Sequence, residues 1–451
     1  MKYMKVGFIS LGCSKNLVDT EMMIGLFRDK NYEIVSDPKI AEVIVINTCG
    51  FIESAKQEAI NTILEMAQYK NPKIGNCKKL IVTGCLVQRY KEDLEKTMPE
   101  VDMFLRYSDY AEEKGNSDKV FADVFSELEG TKKENEEKLQ FTNRIITTGD
   151  CYAYIRIAEG CDNRCTYCAI PSIRGNFVSR KIEDIIEEAE KIAESGRHEI
   201  ILIAQDTSKY GQDIYGKPSL AKLLKELCKI DGIKWIRFLY AYPETITDEL
   251  IKVVKENEKI CKYFDIPIQH ISNKILKRMN RHTTSEDIKR VITKLRKEIP
   301  EVIIRTTVMV GFPGETKEDF SELYEFIKEE KFDRLGAFMY SKEENTPAAT
   351  MGSQIHFMTK KSRYNKIMNL QQQISKEQEK KNLGREIKVL IENISEDRKY
   401  LIGRSYMEVP DIDGLVYVEN NENAELNKAK GKYINCKVVD TKEYDLICKK
   451  I

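Results

Sequence analysis

The chain has 451 residues, with 73 basic and 73 acidic side chains and a formal net charge of zero. At roughly 150 residues per domain this length suits about three domains, and the charge balance excludes a protein that coats nucleic acid by charge alone. Hydrophobic residues make up 41% and charged residues 32%, the composition of a folded chain rather than a disordered one. The longest apolar runs are strand-length, far below the ~20 residues of a membrane span, so no membrane partner is expected.

The N-terminus, MKYMKVGFISLGC, enters a strand-like run at once. It lacks a basic segment followed by a long apolar core, so no signal peptide is read and a cytoplasmic protein is expected. In a reducing compartment the 12 cysteines are packing residues or metal ligands, not a disulfide framework. Residues 1–145 alternate β-branched runs (MKVGFIS, EVIVIN, KLIVTG) with helical stretches such as LVDTEMMIGLFRDK and FIESAKQEAINTILEMAQ. Strand–helix–strand order predicts an α/β domain with a parallel sheet. The region closes on SELEGTKKENEEKLQFTNR, which is charge-dense and reads as an exposed linker.

Residues 147–375 repeat the strand–helix unit six times, on AYIRIAEG, EIILIAQD, WIRFLYAYP, YFDIPIQH, VIIRTTVMVGFP and RLGAFMYS. Six units predict a partial (β/α)6 barrel rather than the full eight. A polar helix, KKSRYNKIMNLQQQISKEQEKKN, leads out of it. Residues 384–451 hold strands with turn residues between them (GREIKVLIENIS, KYLIGRSY, GLVYVEN, YINCKVVDTKEYDLICKK), which predict a small all-β barrel of OB-like type.

Two cysteine constellations carry chemistry. EGCDNRCTYCAIP places Cys161, Cys165 and Cys168 at C-x3-C-x2-C spacing, just after the first barrel strand. Three thiolates on one loop can hold three irons of a 4Fe–4S cluster and leave the fourth open to a substrate. Structural zinc wants four closed ligands, and no fourth Cys or His lies near in sequence. Tyr167 puts an aromatic face beside the open position. Cys13, Cys49 and Cys85 stand 36 residues apart in like contexts, FISLGC, VINTCG and IVTGC. Each follows a predicted parallel strand at its carboxyl end, where side chains converge in one crevice. They are either three buried core thiols or the ligands of a second cluster.

The loop CDNRCTYC and the six-fold pattern after it resemble the radical S-adenosylmethionine (SAM) superfamily. The resemblance implies reductive cleavage of SAM at an open iron, releasing a 5′-deoxyadenosyl radical able to take hydrogen from an unactivated carbon. The whole chain, from the strand-end cysteines through the barrel to a terminal module that resembles a TRAM domain, is similar to the methylthiotransferases. That resemblance implies two 4Fe–4S clusters, the second on Cys13, Cys49 and Cys85, with SAM as radical source and methyl donor. It also implies insertion of –SCH3 into a C–H bond. Some branches of the family modify adenosine in transfer RNA; one modifies an aspartate β-carbon of ribosomal small-subunit protein number twelve. SLGCSKNLVDTE, IAQDTSKYGQD, DIPIQHIS and GRSYMEVPDIDGLVYV resemble the ribosomal-protein branch, although Ser14 stands where that branch often has Pro. The chemistry further calls for an electron donor such as flavodoxin or ferredoxin and for a sulfur source.

Other candidates lie around the barrel. VMVGFPGET carries Gly311 and Gly314, a segment that passes near the adenosine in radical SAM barrels. Gln205 ends the second strand at the mouth and is assigned to SAM or substrate. Arg180 could meet a carboxylate or form a structural ion pair. His270 reads as a packing histidine. In the terminal module, six acids (Glu408, Asp411, Asp413, Glu419, Glu422 and Glu425) accompany one arginine, Arg404. Such a face is expected to repel a phosphate backbone and to suit a basic protein.

Overall fold

The computed structural model describes residues 4–110, 117–129, 140–420 and 425–451. They form two compact units, one of Met1–Thr147 with Glu159–Asp162 and Cys168–Phe177, the other of the remaining residues through Ile451.

The first unit is built on a parallel sheet of five strands in the order β2-β1-β3-β4-β5. These are β1 (Lys5–Ser10), β2 (Glu33–Val35), β3 (Val43–Thr48), β4 (Lys79–Gly84) and β5 (Met103–Arg106). The central strand β3, VIVINT, is buried along its whole length. Helices on both faces leave it no solvent side, so it reads as a continuous apolar run instead of alternating. Register aligns the strand ends: Ser10 pairs with Asn47, and Thr48 with Gly84. Helix α1 (Ser14–Asp29) follows β1, α2 (Glu53–Ala67) follows β3, and α3 (Cys85–Thr97) follows β4.

The expected linker departs from its reading at both ends. Its first residues close a helix, Ser117–Glu129. Residues 130–139 lie outside the described residues. Beyond them Arg144 is buried and donates to Glu21, whose carboxylate also accepts from the Thr147 amide at 2.6 Å. The chain crosses α1 at Gly25, where an added Cβ would stand 2.3 Å from the Asn143 carbonyl oxygen.

In the second unit, parallel strands form two sheets of three. One holds β6 (Tyr152–Arg156), β7 (Glu199–Ile203) and β8 (Trp235–Phe238). The other holds β9 (Tyr263–Asp265), β10 (Ile303–Val310) and β11 (Arg334–Met339). A parallel bridge between Ile236 and Ile260 links them, giving the open six-stranded arrangement expected of a partial barrel. Thr284 and Thr316 cap the two helices that flank β10 with capping boxes closed by Asp287 and Asp319. Helix Phe357–Lys380 leads to a closed five-stranded barrel of Glu386–Ile394, Tyr400–Arg404, Val416–Glu419, Tyr433–Thr441 and Leu446–Lys450.

This small barrel packs under the amino ends of the β/α strands. Tyr152 opens β6 and donates to Asp411 at 2.9 Å; Tyr263 opens β9 and donates to Asp413 at 2.8 Å. Glu199 opens β7 and takes Arg404 at 2.7 Å and Arg237 at 3.0 Å. Arg334 opens β11 and pairs with Glu379 at 2.6 Å and Glu408 at 3.7 Å. The acidic-face expectation is therefore corrected. Glu408 is buried, and Asp411 and Asp413 are bonded to barrel tyrosines, while Glu422 lies outside the described residues. These acids are placed to meet buried cations and phenols, not to repel a phosphate chain.

Candidate functional site

The strand ends of the first unit bring Cys13, Cys49 and Cys85 together. Gly12 (φ +91°) packs so tightly on Cys49 that an added Cβ would lie 2.6 Å from the Cys49 Cβ. Gly50 approaches the start of α3 as closely, its virtual Cβ 2.6 Å from the Leu86 Cα. All three thiols feel one another electrostatically: Cys13 acts on Cys49, and both act on Cys85. Cys13 is exposed, Cys49 half-buried and Cys85 buried, so the group opens on one side. Burial pushes the Cys85 thiol up to about 11 against the pull of Arg174, and it raises Cys49 as well. Thiols so placed keep their protons at neutral pH until a metal displaces them.

Arg174 was not anticipated, and it organises this site. Its side chain is buried within the first unit, its guanidinium 4.0 Å from the Tyr107 ring centroid. Nη1 donates to Asp19 at 2.7 Å and stands 3.5 Å from Glu159. Nη2 donates to Asn16 Oδ1 and lies 3.7 Å from Cys85 Sγ. Asn16 in turn donates Nδ2 to the carbonyls of Leu11 and Thr48, tying two cysteine-bearing turns together. The available sequence signal was an arginine six residues after Cys168, in IRG. Among the described residues, no three Cys, His, Asp or Glu side chains stand at the spacing of one bare metal ion. A cubane spreads its thiolates more widely. Three thiols, a backbone stripped of Cβ atoms beside them and a buried cation fit an anionic thiolate-bound cluster.

The second cysteine loop runs over residues 161–168. Cys161 donates its amide to the Gly175 carbonyl at 3.2 Å, and Gly160 (φ +70°) leaves no room for a Cβ against Asn176. Cys168 Sγ accepts from the Ile170 amide at 3.5 Å. Asn163–Tyr167 lies at the carboxyl ends of the barrel strands, where sites on such folds are built. The loop after β9 cradles it. Thr166 donates its amide to Met279 at 3.0 Å and its hydroxyl to Arg278 at 2.9 Å. Asn280 donates to the Arg164 carbonyl at 3.0 Å, and Asn163 to Asp206 Oδ2 at 3.1 Å. Burial raises the Asp206 carboxyl even so. Tyr167 meets Phe312 edge-on, with centroids 6.4 Å apart. Two non-glycine residues at strand ends, Tyr240 (φ +63°) and Gln269 (φ +65°), hold left-handed backbone, the kind of strain that collects at functional sites.

The remaining candidates separate. Gln205 is half-buried directly beyond β7, at this same end. Gly311 (φ +75°) and Gly314 (φ +84°) frame a turn folded around Glu315. That carboxylate accepts from the amides of Gly311 and Phe312 and pairs with Arg363 at 2.9 Å. Those amides thus serve the turn itself. Arg180 donates to Glu188 at 2.5 Å and to the Arg156 carbonyl at 2.8 Å, so the structural ion pair accounts for it. His270 is buried, and burial lowers it to about 3. Of the other six cysteines, five are buried and Cys228 is half-buried.

Comparison with known proteins places these features. The "Radical SAM superfamily" matches residues 155–327, "Uncharacterized protein family UPF0004" residues 5–106, and "TRAM domain" residues 383–451. A protein of Alkaliphilus oremlandii named "Ribosomal protein uS12 methylthiotransferase RimO" is 58% identical, over 98% of both chains. One of Clostridium perfringens with the same name is 52% identical, over 98% of this chain and 97% of its own. Among solved structures, the radical S-adenosylmethionine methyltransferase TsrM of Kitasatospora setae superposes with a TM-score of 0.55 at 14% identity, covering 77% of each chain. That likeness concerns the fold.

Proposed function

The chain belongs to the family of the ribosomal protein uS12 methylthiotransferases RimO, and from that premise we infer that it inserts a methylthio group at the β-carbon of an aspartate of uS12. What supports the substrate is identity above half spread over 98% of the chain, terminal module included. The alternative, a transfer-RNA adenosine, has no comparable support.

Cys161, Cys165 and Cys168 would hold one 4Fe–4S cluster, and Cys13, Cys49 and Cys85 a second. When bound, the clusters and SAM supply the electron, the hydrogen-abstracting radical, the sulfur and the methyl group. The chain's own residues position and shield them. Thr166, held by Arg278 and Met279, fixes the loop between its cysteines. Tyr167 and Phe312 form an aromatic wall beside it. Asn163, anchored on Asp206, sets where the loop leaves the barrel mouth. Gln205 offers an amide at that mouth. Arg174 points a donor at Cys85, and Asn16 orders the thiol by accepting from it through Oδ1. A flavodoxin or ferredoxin would deliver the electrons, a sulfur source would recharge the second site, and the setting is the cytoplasm.

Two measurements test this. Anaerobic reconstitution should give about eight irons per chain, two cubanes of about four, and replacing Cys13, Cys49 and Cys85 by Ala should leave half. An unchanged iron count rejects the second cluster. Incubation with SAM, reductant and sulfide should add a methylthio mass to uS12 and none to transfer RNA. The reverse result rejects the substrate.

A further inference from the structure

Arg281 is a buried cation at the barrel mouth that makes no ion pair among the described residues. It follows Asn280, whose left-handed backbone (φ +56°) turns the chain after the helix Asn273–Arg278. The residue is 7% exposed. Its Nη2 donates to the Pro267 carbonyl at 3.0 Å, and its face stacks on Tyr242 with 4.2 Å from Cζ to the ring centroid. Nε and Nη1 are buried and have no hydrogen-bond partner among the described residues. Four other buried guanidinium groups of this unit are paired with carboxylates: Arg237 and Arg404 with Glu199, Arg334 with Glu379, Arg363 with Glu315. Among the described residues Arg281 has no carboxylate within ion-pair distance, and Nη2 to the Pro267 carbonyl is its hydrogen bond. Its electrostatic neighbours are Tyr167, Tyr242, Cys165 and Glu244, so it borders the cysteine loop itself.

Stacking on Tyr242 occupies the face of the guanidinium and leaves its in-plane donors to a ligand. A buried guanidinium needs an anion, and a carboxylate matches its planar donors best. We propose that Arg281 binds a carboxylate in the active site, either the methionyl carboxylate of SAM or the side chain of the substrate aspartate. The assignment rests on reading the adjacent loop as the SAM-cleaving site. It predicts a docking point for an anionic group between Tyr242, Tyr167 and the loop after β9.

The test compares the parent enzyme with Arg281→Gln and Arg281→Lys after anaerobic reconstitution. Iron is counted first. The affinity for SAM is then measured by equilibrium dialysis, and so is the affinity for uS12 with its target aspartate intact or replaced by asparagine. Arg281→Gln is expected to keep its iron and to weaken one carboxylate ligand at least tenfold. Loss of SAM affinity alone identifies the methionyl carboxylate. Loss of affinity for aspartate-bearing uS12, with the asparagine form unchanged, identifies the substrate. If Arg281→Gln sheds its cluster, Arg281→Lys is read instead, with at least threefold weakening expected. Affinities within twofold of the parent in a variant that keeps its iron overturn the proposal. So does loss of iron from both variants, which would make Arg281 a support of the loop. A parent that carries the cluster yet binds no SAM overturns the reading of the loop, and this assignment with it.

Discussion

Single residues decide whether the two cysteine sets can act. Gly12 has a positive φ of +91° and no space for a Cβ against Cys49. Gly12→Ala should therefore strain the first turn by about 1–3 kcal/mol and separate Cys13 from its partners. Iron analysis should find roughly half the parent content, from the 161–168 loop alone. Arg174 works differently, because it holds Asp19 and points a donor at Cys85. Arg174→Lys keeps the charge and loses the planar fork. The expected outcome is full iron with a lowered reduction midpoint for one cluster, read by redox titration followed with electron paramagnetic resonance. A donor to a cluster sulfur favours the reduced, more negative state. The six candidate cysteines were picked out in the sequence by spacing and by matching strand-end contexts. Arg174 was not, because its partners at Asp19 and Asn16 are more than 150 positions away.

At the scale of elements, strands and helices followed apolar periodicity closely. KLIVTG is β4 as read, and FIESAKQEAINTILEMAQ, read as helical, carries α2 over Glu53–Ala67. Barrel strands came out shorter than their apolar runs. β9 spans Tyr263–Asp265, and the apolar residues after it, Ile266, Ile268 and Ile271, are buried in the loop that leads to the site. His270 lies in that loop, its Nδ1 accepting from the Ser272 amide at 3.0 Å. Asp319, Arg363 and Lys274 are the charged groups facing it. Burial holds it at about 3, well below its unfolded value near 6.5, so the folded chain keeps it neutral while the unfolded chain takes a proton. Its contribution to stability is complete above pH ~6.5 and is lost as pH falls towards 3, by about 1.4 kcal/mol per pH unit. Urea unfolding of the parent and of His270→Gln at pH 6.5 and pH 5 checks this. The variant should show the shallower loss.

For the whole molecule, buried ion pairs join the β/α strands to the terminal β-barrel. Burial alone would raise the Glu199 carboxyl, but Arg404 and Arg237 overcome it and hold it below the usual carboxylate range. Glu199→Gln should leave Arg237 buried without its anion and Arg404 with Glu392 alone, and destabilise this unit by about 3–5 kcal/mol, read as a lower urea midpoint. Catalytic iron content should be unchanged, since Glu199 opens β7 at the end opposite the cysteine loop. The same pairing explains why counting charges in the terminal module misled. Net charge describes a string, whereas Glu408, Asp411 and Asp413 are bonded across the fold to residues 74 to 259 positions away. By itself the sequence determined the strand and helix pattern and the family the chain resembles, and it singled out the two cysteine sets as candidates. Each of these rests on local spacing, which periodicity and short motifs record. Only the tertiary structure decided which polar groups are buried and which cations among the described residues are paired with carboxylates. Those facts depend on long-range neighbours, and no local pattern encodes them.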